Sequence, residues 1–170
     1  RLIAFIPSAL TEYTIPYGVK EIAPEVFKNC GNLVNITLPD SLLSIGEGAF
    51  RDCITLASVA LPDSVQYVNA SAFEGCLSLV SATLSTNLTK LSENTFTNCR
   101  ALAEITIPDS VTAIEKSAFS NCVAIHTVTV GNGVTSIGED AFANCSMLQS
   151  ITLGEAVESI GKRAFYECNS

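Results

Sequence analysis

Positive charge is scarce in this sequence, and so is histidine. Lys and Arg together number 9 against 17 Asp and Glu, a formal net charge of −8. A surface that grips a nucleic-acid backbone carries the opposite sign, so no nucleic-acid partner is expected. An anionic membrane repels the chain for the same reason. With one histidine, His126, and no Cys-x-x-Cys pair, a zinc site has no recognisable ligand set. Nothing in the spacing sets His126 beside a Ser or Cys nucleophile and an orienting acid, and no glycine-rich phosphate loop is present. These absences predict a protein that is not an enzyme and needs no cofactor.

Long apolar runs are missing as well. The longest uncharged stretch, Ser117 to Gly138, is interrupted by Asn121, Thr127, Asn132 and Gly133 and alternates instead of running apolar. It does not read as a membrane-spanning helix, and no direct membrane insertion is expected. Arg1-Leu2-Ile3-Ala4-Phe5-Ile6-Pro7 is too short for a signal peptide and ends at a proline, which fits a mature or excised piece of a longer protein. Charged residues make up 15% of the chain and apolar ones 48%, which excludes a disordered tail.

What is present is periodicity. Cysteines stand at Cys30, Cys53, Cys76, Cys99, Cys122, Cys145 and Cys168, each 23 residues after the last. A phenylalanine precedes each by three: Phe27, Phe50, Phe73, Phe96, Phe119, Phe142 and Phe165. Aligned on that period, residues 10–170 divide into seven repeats without an insertion: 10–32, 33–55, 56–78, 79–101, 102–124, 125–147 and 148–170. Residues 1–9 form a lead-in segment.

Within a repeat, Leu102-x-x-Ile105-x-Ile107 alternates as a strand with one buried face does. Pro108 lacks an N–H and ends it. A turn through Asp109-Ser110 follows, then Val111-x-x-Ile114 forms a second short extended segment. A small residue with Phe, and Cys three further on, predicts a single helical or 3₁₀ turn. One such unit buries nothing alone. Copies stacked above and below would align the strands as a parallel sheet, with contacts between neighbours only. The phenylalanines and cysteines then form the structural core. The fold predicted is a leucine-rich repeat solenoid of the α/β type. It is mostly β, a right-handed stack of seven coils, with a parallel sheet on one face and short extended or 3₁₀ segments on the other.

The pattern Leu-x-x-Ile-x-Ile-Pro-x-x-Val-x-x-Ile-Gly-x-x-Ala-Phe-x-x-Cys, as in Ile36 to Phe50 and Ile137 to Cys145, resembles the BspA-like leucine-rich repeats. Leu2-Ile3-Ala4-Phe5 followed by Tyr13-Thr14-Ile15-Pro16 is similar to the non-repeating segment that leads into such arrays. The resemblance implies a secreted or cell-surface protein of a bacterium or a parasitic protist, some relatives being adhesins. The fourth repeat departs from the pattern at Ser85 for Pro, Ser92 for Gly and Thr95 for Ala, and is expected to be locally looser.

The strand residues pointing away from the core define a candidate binding face. One column is Glu12, Asn35, Ser58, Ser81, Glu104, Thr127 and Ser150. The other is Thr14, Thr37, Ala60, Thr83, Thr106, Thr129 and Thr152. Threonine in six of those seven places has two readings: β-branched residues suit an exposed strand, or the hydroxyls form a surface for protein or glycan. A broken acidic column, Asp40, Asp63, Asp109 and Glu155, with Tyr17, Thr86 and Asn132 between, reads as turn capping or as calcium binding, which needs convergent oxygens. The cysteines read as buried thiols filling one core notch or as disulfides between adjacent coils. Four N-x-S/T triplets, at Asn35, Asn69, Asn87 and Asn144, read as glycan acceptors in a secreted protist protein or as triplets that arise by accident in a composition rich in Ser and Thr.

Two functions follow. One is an adhesin-like module binding extracellular-matrix or cell-surface proteins or glycoproteins through the strand face. The other is a spacer presenting another domain. The final coil has no polar cap, so either the array continues or copies pack end to end.

Overall fold

The structure, a computed structural model, describes residues 9–170. The expected lead-in lies almost wholly outside them. Thirteen short strands are numbered in chain order. One column holds β1 (Glu12–Thr14), β3 (Asn35–Thr37), β5 (Ser58–Ala60), β7 (Ser81–Thr83), β8 (Glu104–Ile107), β10 (Thr127–Val130) and β12 (Ser150–Thr152). A second holds β2 (Glu21–Ile22), β4 (Ser44–Ile45), β6 (Tyr67–Val68), β9 (Ala113–Ile114), β11 (Ser136–Ile137) and β13 (Ser159–Ile160). Every pairing is parallel and joins a residue to the one 23 positions on, as in Glu12↔Asn35, Val128↔Ile151 and Ile22↔Ile45. The molecule is therefore a parallel β-solenoid, its seven first-column strands related by six 23-residue steps, as the period predicts.

The core is a stack of like residues on like. Phe27 through Phe142 are fully buried. Neighbouring rings lie 4.8–5.5 Å apart between centroids and within 8° of parallel, from Phe27 to Phe165. Tyr13 tilts against Phe27 at 5.7 Å. Phe165 and Cys168 are only half-buried, because the last coil has a neighbour on one side alone. Their expected place in the core holds only in part.

The corner carrying each Phe departs from the expected helical turn, and no helix occurs among the described residues. Two interlocked turns form it: Lys28 N–H donates to the Glu25 carbonyl and Cys30 N–H to the Phe27 carbonyl. Two residues per corner adopt left-handed backbone, again in columns. Glu25, Gly48, Ser71, Asn94, Ser117, Asp140 and Arg163 have φ of 55–59°. Asn29, Asp52, Gly75, Asn98, Asn121, Asn144 and Glu167 have φ of 56–73°. Those reversals point the N–H groups of alternate residues at the next coil. Gly48, Phe50 and Asp52 donate to the carbonyls of Ala70, Ala72 and Glu74 at 2.8–2.9 Å. A helix would have spent these donors inside its own turn; here they bind coil to coil.

The fourth coil is not loosened at its substituted residues. Ser85, Ser92 and Thr95 are buried. Ser92 Oγ donates to the Val68 carbonyl at 2.6 Å and Thr95 Oγ1 to the Ser92 carbonyl at 2.7 Å. The interruption is in strand pairing instead. The first column divides into β1-β3, β5-β7 and β8-β10-β12, and the second into β2-β4-β6 and β9-β11-β13. In the second column the fourth coil contributes only a bridge, Leu91↔Ile114.

Candidate functional site

Alternation along each first-column strand turns every second side chain outward. Glu12, Thr14, Asn35, Thr37, Ser58, Ser81, Thr83, Glu104, Thr106, Thr129, Ser150 and Thr152 are exposed, and Thr127 is half-buried. Residues between them face the core: Val59, Ile105 and Val128 are buried. Threonines stand side by side in register, Thr14↔Thr37, Thr106↔Thr129 and Thr129↔Thr152. Asn35 Nδ2 donates to Glu12 Oε1 across β1 and β3 at 3.1 Å.

The first-column sheet breaks twice, first between β3 and β5 and then, beyond the fourth coil, between β7 and β8. There a groove of about 560 Å³ opens, within the range of ligand-sized clefts. Four of the expected face residues, Ser81, Thr83, Glu104 and Thr106, line it. Its apolar lining comes from Ala82, Leu84, Ile105 and Pro108, and the next turn adds Thr86, Asp109 and Ser110. Sequence reasoning missed the groove. Its signals were Ala82, where the other coils place Tyr, Ile or Val, and Ser85, where most place Pro or Gly.

Two of the acidic turn residues, Asp63 and Asp109, cap from coil to coil. Asp63 Oδ1 accepts the Thr86 N–H at 3.0 Å and its hydroxyl at 2.8 Å. These bonds hold its carboxyl below the usual carboxylate range. Asp109 Oδ1 accepts the Asn132 N–H at 2.6 Å, and Asn132 Oδ1 the Glu155 N–H at 3.3 Å. Serines one place on act similarly: Ser64 and Ser110 donate to the carbonyls of Leu42 and Leu88. No cluster of His, Cys, Asp or Glu suited to a metal occurs among the described residues.

The seven cysteines are unbridged. From Cys53 onward each thiol donates to the carbonyl of the Phe 26 residues before it, at 3.0–3.3 Å. Burial pushes the thiols of Cys53 and Cys145 up to about 12, and those of Cys76, Cys99 and Cys122 well above the ordinary value. Such thiols are core, with no nucleophilic character at neutral pH. His126 is exposed immediately before β10. Among the triplet asparagines, Asn35, Asn69 and Asn87 are exposed and Asn144 is half-buried.

The comparisons agree with this geometry. A family model of the BspA type leucine rich repeat region matches in six copies, over residues 3–125 and 68–170. No curated protein matches the chain significantly. Among solved structures, a leucine-rich repeat protein of T. pallidum is 31% identical with a TM-score of 0.89, over 94% of this chain and 77% of that one. A leucine-rich cell surface protein of Faecalibacterium prausnitzii is 30% identical, TM-score 0.77, over 94% of this chain and 45% of the other. A leucine-rich repeat protein of Bacteroides ovatus is 28% identical, TM-score 0.71, over 94% of this chain and 47% of the other. This chain thus spans about half the length of the latter two. Leucine-rich repeat proteins of this kind generally serve protein interaction and are typically not enzymes. With its 23-residue coils, stacked phenylalanines and exposed strand face, the chain belongs to the BspA-type leucine-rich repeat family.

Proposed function

We propose that this chain is a non-catalytic binding module, displayed outside the cell or on its surface, that engages proteins or glycoproteins through the first-column strand face in the manner of an adhesin. The observation carrying this reading is the face itself: exposed hydroxyl columns in strict register, opening into one groove between β7 and β8. The surface location is supported by the similar cell surface protein of Faecalibacterium prausnitzii.

The test is surface plasmon resonance of the folded chain against extracellular-matrix proteins and cell-surface glycoprotein extracts. Wild type is compared with Thr83→Lys combined with Thr106→Lys. Binding by wild type and loss in the variant supports the reading. Binding indifferent to the variant points to another face, and no binding by either favours a spacer. Protease shaving of intact cells tests the location.

A further inference from the structure

Charge is partitioned between two parts of every coil. The first ten residues of each (10–19, 33–42, 56–65, 79–88, 102–111, 125–134 and 148–157) contain the first-column strand and its turn. They hold Glu12, Asp40, Asp63, Glu104, Asp109 and Glu155, and no Lys or Arg. Every Lys and Arg from Lys20 to Arg163 falls in the remaining thirteen residues of a coil. All the ion pairs among the described residues lie there too, among them Lys90–Glu115 at 2.7 Å and Arg163–Asp140 at 2.7 Å. The strand side thus carries acidic residues in five of the seven coils and no Lys or Arg in any; its one basic side chain is His126.

That asymmetry meets the groove. Glu104 and Asp109 both line it. Asp109 spends one oxygen on the Asn132 N–H. The Glu104 side chain is exposed and makes no hydrogen bond or ion pair within the described residues. Between β7 and β8 the ladder stops: Leu61 N–H donates to the Thr83 carbonyl, and no equivalent bond joins Leu84 to Thr106. The groove therefore offers an apolar lining, main-chain groups without a strand partner, and two carboxylates that form no ion pair among the described residues.

We infer that the occupant is an extended basic segment of a partner protein. A lysine or arginine side chain lays its aliphatic stem over the half-buried Pro108 and brings its charged head to Glu104 and Asp109. Alternate residues of an extended segment share one face, so basic side chains two residues apart are both turned towards the groove. Complementarity of this kind sets which partner binds and how fast. The inference rests on the strand face being the interaction surface and names the chemistry of what it takes.

The probe is a fluorescein-labelled peptide alternating Ser and Lys over seven residues, with its Ser–Glu counterpart, read by fluorescence anisotropy on the full chain. The Lys peptide is expected to bind, more weakly at high salt, and the Glu peptide not to. Glu104→Gln with Asp109→Asn should weaken binding at least about tenfold. Glu47→Gln with Glu158→Gln, the same change in net charge on the other part of the coil, should change it less than about twofold. Equal loss in both double variants, or equal binding of the Glu peptide, overturns the inference. If the Lys peptide fails to bind while a matrix or glycoprotein partner is still lost with Thr83→Lys and Thr106→Lys, the cationic occupant is wrong and the interaction face stands. Circular dichroism of each variant confirms the fold.

Discussion

The thiol of Cys99 donates a hydrogen bond to the carbonyl oxygen of Phe73, one coil earlier, at 3.2 Å. The same oxygen accepts the N–H of Cys76 at 3.2 Å. Two acceptor sites on one buried carbonyl are thus filled, one from within the corner and one from the next coil. This gives a reason for cysteine at the position: a small, largely apolar side chain that can still donate. Cys99→Ala should destabilise by about 1–3 kcal/mol, combining the lost bond with a small cavity. Urea unfolding at constant m-value measures it. No shift in midpoint would show that the bond contributes nothing.

The buried thiols also predict how stability varies with alkalinity. Their folded-state values are raised above the ordinary 9.0, to about 12 for Cys53 and Cys145, so the folded chain retains protons that the unfolded chain releases. The contribution is fully present below pH 9 and falls as pH climbs from 9 towards 12. At pH 10 each deeply buried thiol should remove about 1.4 kcal/mol of stability. Urea midpoints measured from pH 8 to pH 11 should fall steadily. The slope should be shallower in Cys53→Ala combined with Cys145→Ala. A flat profile would remove the thiols from the account.

Much of this was readable from spacing. Cysteines and phenylalanines 23 residues apart require like residues to stack, and the alternation in Leu102-x-x-Ile105-x-Ile107 decides which side chains face outward. The corner was not readable in the same way. Phe and Cys three apart are compatible with a helical turn, and only the backbone reveals that left-handed residues flank each Phe. The clue was Asn at 29, 98, 121 and 144, the residue that most readily adopts that conformation after glycine. The groove was hidden for a different reason: Ala82 and Ser85 look like local softening, and nothing in the repeat spacing tells where the ladder stops between β7 and β8.

A stack with two ends predicts graded sensitivity along the phenylalanine column. Phe96 is fully buried between Phe73 and Phe119, with centroids at 5.3 and 5.4 Å. Phe165 has a ring neighbour on one side only and is half-buried. Phe96→Ala should cost about 3–5 kcal/mol and Phe165→Ala clearly less, by thermal or urea unfolding. Equal costs would mean that the rings do not share one continuous column.

Close approach of one coil to the next predicts intolerance at Gly46. A Cβ there would lie 2.5 Å from the Pro24 nitrogen and 2.6 Å from the Ala23 carbonyl carbon, both backbone atoms that cannot swing aside. Gly46 N–H meanwhile donates to the Ile22 carbonyl at 2.9 Å, so moving the chain away would stretch an inter-coil bond. Gly46→Ala should lower the unfolding midpoint markedly, although alanine reduces the entropy of the unfolded chain and would otherwise stabilise.

The left-handed columns give the most specific test of the corner. Asn98 has φ of 63°, and its N–H donates to the Ser120 carbonyl at 2.9 Å. Glycine adopts that backbone freely and already does so at the equivalent Gly75, whereas alanine pays about 1–2 kcal/mol for it. The two substitutions remove the same amide side chain, so their difference isolates the backbone. Asn98→Gly should stay within about 1 kcal/mol of wild type, and Asn98→Ala should fall below it. Were the corner a helical turn, alanine would instead be the more stable of the two by about 1 kcal/mol. The order of their urea midpoints therefore separates the two geometries by sign, whatever the magnitude.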